Sequence, residues 1–267
     1  MRIGAVSYLN TKPLVEGLAE AKPEIELVFD LPSRLADELA AGRLDVALIP
    51  SVEFFQNPAY RVVSDACIGC RGPVLSVKLL SRVPAGQIGT LALDEGSRTS
   101  AALTRILLDQ RFGIRPQLLP LPIDSDWEKI EADAVLLIGD RAIHASHDEL
   151  TEVWDLGDEW CRWAELPFVF AMWVARPGVD TTGLDAILEQ ARDRGLANLR
   201  EIAAAEAPVV GLPPDLVLSY LRDNLYFHLG EREVRGLRLY YEHASRMGLA
   251  PRGFDLQARL PAKVERA

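Results

Sequence analysis

Apolar residues recur along this chain with two alternating periods. Residues 3–6 form a short apolar run of strand length. Ser7-Tyr8-Leu9-Asn10-Thr11-Lys12-Pro13 follows, and then Leu14, Val15, Leu18 and Ala19 share one face of a helix. The pattern predicts a strand, a turn and a helix, with Asn10 and Thr11 capping the first helical amides and Pro13 tolerated early in the helix. Ile25, Leu27 and Phe29 alternate with Glu26, Val28 and Asp30 as a strand does. Ser33 then reads as the cap of a helix carrying Leu35, Ala36, Leu39 and Ala40 that stops at Gly42. Residues 45–49 form the next strand, which ends at Pro50-Ser51.

Residues 61–82 read as extended, and Pro84-Ala85-Gly86 marks a crossing into a second unit. A strand at 88–93 there leads through Asp94-Glu95-Gly96-Ser97-Arg98-Thr99-Ser100 into a helix with Leu103, Ile106 and Leu107 inward. A strand within 116–122, a short helix at 127–131, a fully apolar strand at 134–138 ending in Gly139-Asp140, and a strand at 153–156 complete this unit. The apolar run 167–175 is the expected return crossing, and everything after it reads as helical. The expectation is an α/β chain of two lobes, residues 1–83 with 171–267 and residues 84–170. The helical C-terminal tail cannot form a sheet of its own and is expected on the first lobe.

Composition narrows the function. With 267 residues and 49% hydrophobic side chains, the chain can bury one large core or two modest ones. The formal net charge of −10 argues against nucleic acid or an anionic membrane as partner, because both need a basic footprint. An anionic ligand would need local help from helix N-termini and one or two arginines. No apolar run approaches the roughly 18 residues of a membrane span, and the N-terminus runs into a strand without signal-peptide features, so a cytoplasmic location is expected. Cys67-Ile68-Gly69-Cys70 has redox or half-zinc spacing. No second ligand pair accompanies it, so ordinary buried thiols are expected and no metal is assigned.

Two strand-to-helix turns of the same polar chemistry, around Asn10 and around Arg98, can face each other across a cleft. Ser51, at the carboxyl end of a strand, points to the same rim, although a simple capping role fits it equally.

Ser7-Tyr8-Leu9-Asn10-Thr11-Lys12-Pro13-Leu14, Asp45-Val46-Ala47-Leu48-Ile49-Pro50-Ser51, Ser97-Arg98-Thr99-Ser100, Ile138-Gly139-Asp140 and Leu166-Pro167-Phe168-Val169-Phe170-Ala171 occur in this order. Together with Gly236-Leu237-Arg238-Leu239-Tyr240-Tyr241 they resemble the menaquinone-biosynthesis family of the futalosine route, in its chorismate-dehydrating branch. The resemblance implies a two-lobed, type II periplasmic-binding-protein-like α/β fold. It also implies a cofactor-independent lyase that converts chorismate to 3-[(1-carboxyvinyl)oxy]benzoate and water. Substrate contacts are then expected from Ser7, Tyr8, Asn10, Thr11, Ser51, Ser76, Ser97, Arg98, Thr99, Ser100, Gly139 and Phe168, with Asn10 and Asp140 in the chemistry. Arg98 suits bidentate recognition of a carboxylate, though a surface salt bridge fits it too. Ser76 is placed only by its position near the crossing. The base stays open among Asp94, Glu95, Asp140, a substrate carboxylate positioned by Asn10, and His144 or His147. A non-catalytic small-anion binder or sensor of the same fold, and the sister naphthoate-forming enzyme of the route, are the alternatives.

Overall fold

The computed structural model describes residues 1–22, 24–146 and 150–261. The chain starts in the first of two sheets with β1 (Arg2–Val6), β2 (Glu26–Asp30), β3 (Val46–Pro50) and β4 (Arg61–Cys70). It then lays down the second sheet with β5 (Val77–Ser81), β6 (Thr90–Asp94), β7 (Gln117–Leu121), β8 (Ala134–Ile138) and β9 (Glu152–Asp155). β10 (Phe168–Ala175) and β11 (Tyr226–His228) return to the first. The strand orders are β11-β4-β10-β3-β1-β2 and β7-β6-β8-β5-β9. β1 runs parallel to β2 and β3, and β6 runs parallel to β7 and β8. β10 lies antiparallel between β3 and β4, and β5 antiparallel between β8 and β9.

The two sheets exchange the chain at residues 71–76 and again just before Phe168. β5 therefore joins the second sheet ahead of the Pro84-Ala85-Gly86 punctuation, and the whole of β10 belongs to the first. Proline and glycine mark where the chain bends. Which sheet an apolar strand joins is decided by its partner, here β8 in register from Val77↔Ile138 to Ser81↔Ala134.

Several helix starts differ from the sequence reading. The first turn is a 3-10 helix, Leu9–Leu14, separate from the short helix Leu18–Ala21. Tyr8, extended, holds the N-cap position without a side-chain cap bond, so Asn10 and Thr11 lie inside the turn instead of capping it. Pro13 has no N–H for an i→i−4 bond, and Thr11 N bonds to Tyr8 O at 3.1 Å in the tighter i→i−3 pattern. Helix Pro32–Ala40 begins at Pro32 behind an extended Leu31, which leaves Ser33 buried within its first turn. Helix Leu184–Ala197 begins after Gly183, and Thr182, which has the chemistry expected of its cap, bonds to Asp180 instead. Gly195 lies inside that helix and does not break it.

The tail is not wholly helical, because β11 pairs with the outer side of β4. Helices Leu184–Ala197 and Glu231–Arg246 pack on the first sheet, against β4 and β10 respectively. Tyr240 packs edge-on to Phe168 with ring centres 5.1 Å apart. Its hydroxyl crosses to the second unit and donates to Thr99 O at 3.0 Å. Cys67 and Cys70 are both buried on β4. Burial pushes the Cys67 thiol up, and a hydrogen bond with Cys161 together with burial does the same for Cys70. Among the described residues no helix is long and apolar enough to cross a membrane.

Gly195 positions the first turn. A Cβ there would lie 2.1 Å from Pro13 O, so helix Leu184–Ala197 seats directly on the 3-10 turn only because residue 195 has no side chain. Gly195→Ala is expected to cost about 1–3 kcal/mol through overpacking against backbone. A thermal melt should show a drop of several degrees, and an unchanged melting temperature would refute this close seating.

Candidate active site

The parallel strands of both sheets aim their carboxyl ends at one place. β1 ends at Val6 and β3 at Pro50, while β6 ends at Asp94 and β8 at Ile138. Open α/β sheets collect ligands at such edges. A cavity lies between them, lined by residues of both sheets and their turns. Tyr8 and Asn10 of the first turn line one side, and Gly96, Ser97, Arg98, Thr99 and Ser100 of the second turn line another. Ser76 and Gly139 complete the polar part. Val6, Pro50, Ile68, Val74, Ile138 and Phe170 make apolar walls.

The second turn opens helix Thr99–Phe112, whose first amides have no intrahelical partners and carry partial positive charge. The first turn reaches across to the second unit. Leu9 N donates to the Asp140 carboxylate at 3.2 and 3.4 Å. The Tyr8 ring lies against Gly139, where φ is +67° and a Cβ would come within 2.7 Å of the ring. Only glycine meets both demands there. Burial raises the Tyr8 phenol far above its ordinary value, with the Asp94 charge adding to the effect, so it stays a protonated donor.

A family model described as menaquinone biosynthesis matches residues 1–246. This chain belongs to the menaquinone-biosynthesis family. A chorismate dehydratase of Thermus thermophilus is 31% identical over 90% of this chain and 93% of its own length. Another from Campylobacter jejuni is 27% identical over 64% of this chain and 66% of its own. In structure, protein AF1704 of Archaeoglobus fulgidus is similar with a TM-score of 0.74 at 20% identity, covering 93% of this chain and 97% of that one. The periplasmic aliphatic sulphonate binding protein SsuA of Escherichia coli gives 0.64 at 19% identity, covering 97% and 91%. At these identities the two structures speak for fold alone. The fold of this family member is α/β and periplasmic-binding-protein-like.

Within this family member the expected site residues divide into two groups. Tyr8, Asn10, Ser76, Ser97, Arg98, Thr99, Ser100 and Gly139 come together around the cavity. Ser7, Thr11, Ser51, Asp140 and Phe168 are not on its lining. Ser7 is exposed, and its amide donates to Asp30 O. Ser51 is buried at the start of the short helix Ser51–Phe54, and its hydroxyl donates to Val169 O of β10 at 2.8 Å, a bond internal to the first unit. Phe168 packs against Trp160 and Tyr240. The register irregularity between Val169 and Ala171 leaves Phe170, also in ring contact with Phe168, on the cavity instead.

The charged candidates are already engaged. Arg98 lines the cavity, yet its guanidinium pairs with Asp37 at 2.8 Å and Glu53 at 3.2 Å, both from the first unit. The carboxylate partners foreseen for it are thus protein groups, and helix amides with the Ser97, Thr99 and Ser100 side chains remain for a ligand. Asp94 is buried, accepts from Gly96 N and Ile138 N, and pairs with Arg141 at 2.5 Å. Burial pushes its carboxyl up, and Arg141 opposes that. Glu95 is exposed and off the lining. His144 Nε2 is 2.8 Å from Val210 O, and His147 lies outside the described residues.

One participant has no mark in the sequence. Tyr220, fully buried, donates its hydroxyl to Ser76 Oγ at 2.8 Å. It reads as a core aromatic on an amphipathic helix, because its partner lies 144 residues away in sequence.

Asp140 separates a positioning bond from a proton transfer. Burial pushes its carboxyl up, and the Leu9 amide opposes this as the next largest influence. Asp140→Asn keeps an acceptor for Leu9 N and is expected to hold turnover within about threefold of the parent. Asp140→Ala strands a part-buried amide and should cost about 1–3 kcal/mol in chemical denaturation. Loss of turnover in Asp140→Asn at unchanged stability would instead make the carboxylate the base.

Proposed function

We propose that this protein dehydrates chorismate to 3-[(1-carboxyvinyl)oxy]benzoate and water in menaquinone biosynthesis. Membership of the family and the Thermus thermophilus chorismate dehydratase, similar over nearly the whole chain, support the reaction class. The observation that carries the mechanism is the lining itself. It offers hydroxyls, one carboxamide, helix amides and the Arg98 guanidinium, which is paired with Asp37 and Glu53, and among the described residues no Asp, Glu, His, Lys or Cys belongs to it.

Chorismate brings two carboxylates on a partly unsaturated ring. One is expected at the N-terminal turn of helix Thr99–Phe112, with its free amides and the Ser97, Thr99 and Ser100 side chains. The apolar walls suit the ring. The Tyr8 phenol, held protonated by burial, is a poor base. The proton at ring C3 therefore passes to a carboxylate of the substrate, and its C–H electron pair becomes the new ring double bond. Hydroxide leaves C4 and takes up that same proton, so the carboxylate is restored and water departs. The reaction is redox-neutral and ends in an aromatic ring, so the protein's work is orientation and help to the leaving hydroxyl. Asn10 offers an N–H and a carbonyl oxygen at the cavity wall and is the group we assign to orienting the reacting carboxylate. The two sheets and their helices are the lobes that hold the substrate between them.

Purified protein incubated with chorismate should release the benzoate product, followed by chromatography and mass. Asn10→Ala is expected to lower kcat by roughly tenfold to a thousandfold with a much smaller change in KM, because misplacing a reacting group by about an ångström costs on the order of a hundredfold. Asn10→Asp sets a negative charge against an anionic substrate and should lose most activity at an unchanged melting temperature. Tight chorismate binding without turnover by the parent protein would favour a binding or sensing role instead.

A further inference from the structure

Among the described residues only two that carry side chains adopt a positive φ, Leu75 at 65° and Glu165 at 54°. Glu165 closes helix Leu156–Ala164, where left-handed backbone is common. Leu75 closes no helix. It sits in the segment 71–76 where the chain first crosses between sheets, one residue before Ser76 of the cavity wall. Ser76 N donates to Val74 O at 2.7 Å, so the three residues form a γ-turn, and the positive φ at its centre makes it the rare, strained form. Such backbone persists only where its surroundings over-determine it.

One carboxylate supplies that constraint. Asp155 ends β9 and caps helix Leu156–Ala164, its Oδ1 accepting from Gly157 N at 3.0 Å and Asp158 N at 3.1 Å. The same Oδ1 accepts from Val74 N at 2.9 Å, and Oδ2 accepts from Leu75 N at 2.6 Å. A helix cap needs only the first two bonds; the other two fix the amides that lead into the strained turn. The residue that leaves the turn is held as well. Gly139 N donates to Ser76 O at 2.9 Å, and the Tyr220 hydroxyl donates to Ser76 Oγ at 2.8 Å. The Ser76 hydroxyl itself meets Val74 O only at 3.4 Å, beyond the usual O–H···O range, so its proton is available to an oxygen of the substrate.

We propose that Asp155 is a positioning residue for the dehydration, its carboxylate holding the strained turn at Leu75 that aims the Ser76 hydroxyl at the substrate. This rests on the reading above that chorismate occupies the cavity. Asp155 is not on the cavity lining and acts through residues 74–76. Once Leu75 N is released, Leu75 relaxes toward the negative φ that a side chain prefers, and the Ser76 hydroxyl turns away from the direction set for it.

Asp155→Asn separates the two duties of this side chain. With its carbonyl oxygen in the Oδ1 place it keeps the helix cap and the Val74 bond, and its NH₂ then faces Leu75 N–H, donor against donor. Asp155→Ser also retains a cap but is too short to reach the crossing segment. In both variants kcat is expected to fall about 10- to 100-fold, with KM within about threefold of the parent, at a temperature well below the melting transition. Ser76→Ala should show a loss of similar size. The double variant Asp155→Asn with Ser76→Ala should turn over no more slowly than Ser76→Ala by itself, since no hydroxyl is left to aim. An aspartate serving only the helix would shift the melting temperature and leave that kcat alone. Parent-like kcat in the Asp155 variants or in Ser76→Ala, or losses that multiply in the double variant, would overturn the proposal while the dehydratase reading stands. A parent protein inert towards chorismate would overturn both.

Discussion

The docking of the first turn onto the second unit is the contact on which the site depends. Leu9 offers its amide to Asp140, and the Tyr8 ring presses on a glycine that tolerates neither a side chain nor ordinary backbone angles. A regular α-helix starting at Asn10 would aim these groups elsewhere. The 3-10 geometry enforced around Pro13, with helix Leu184–Ala197 seated on Pro13 through Gly195, swings Tyr8 outward and leaves Asn10 on the cavity wall. One turn thus joins the halves of the molecule and supplies the carboxamide at the site.

Electrostatics at the cavity are local. The chain carries a formal charge of −10, yet the cavity gathers a helix N-terminus, several hydroxyls and an arginine, and its lining holds no carboxylate among the described residues. Arg98 contributes less free charge than its place in the turn implies, because Asp37 and Glu53 already surround it. Its pairing ties the second turn to the first unit, which makes it part of the contact between the halves. Neutral donors held in fixed directions are what the cavity offers an anion, the same groups that bind anions at other helix N-termini.

The C-terminal helices do more than cover the first sheet. Tyr240 crosses from helix Glu231–Arg246 to the carbonyl of Thr99, and Tyr220 crosses from the turn Tyr220–Asn224 to Ser76. Both are buried phenols, each with its hydroxyl satisfied by a group at the cavity edge. Burying a tyrosine hydroxyl is costly unless a partner waits for it, so these two bonds also fix where the tail can lie. Packing of the tail and orientation of the site are therefore the same event.

Much was legible in the order of residues alone. The period of the apolar positions gave the alternation of strands and helices through both units, and the repeated polar turns marked two of the cavity's sides. Tyr8, Asn10, Ser97, Arg98, Thr99, Ser100 and Gly139, which the family resemblance implied, line the cavity, as strand-end turns in α/β folds open onto ligand clefts. Ser51 and Phe168 look the same on paper as their cavity-lining neighbours. A hydroxyl turned into the sheet and an irregular register along β10 took them out of the site. Local composition determined the elements, since periodicity and turn chemistry act over a few residues. Tertiary structure alone decided which sheet received β5, what Arg98 pairs with, and that Tyr220 stands behind Ser76. Those outcomes depend on partners tens to hundreds of residues away, and nothing in a residue's own neighbourhood encodes the distance to them.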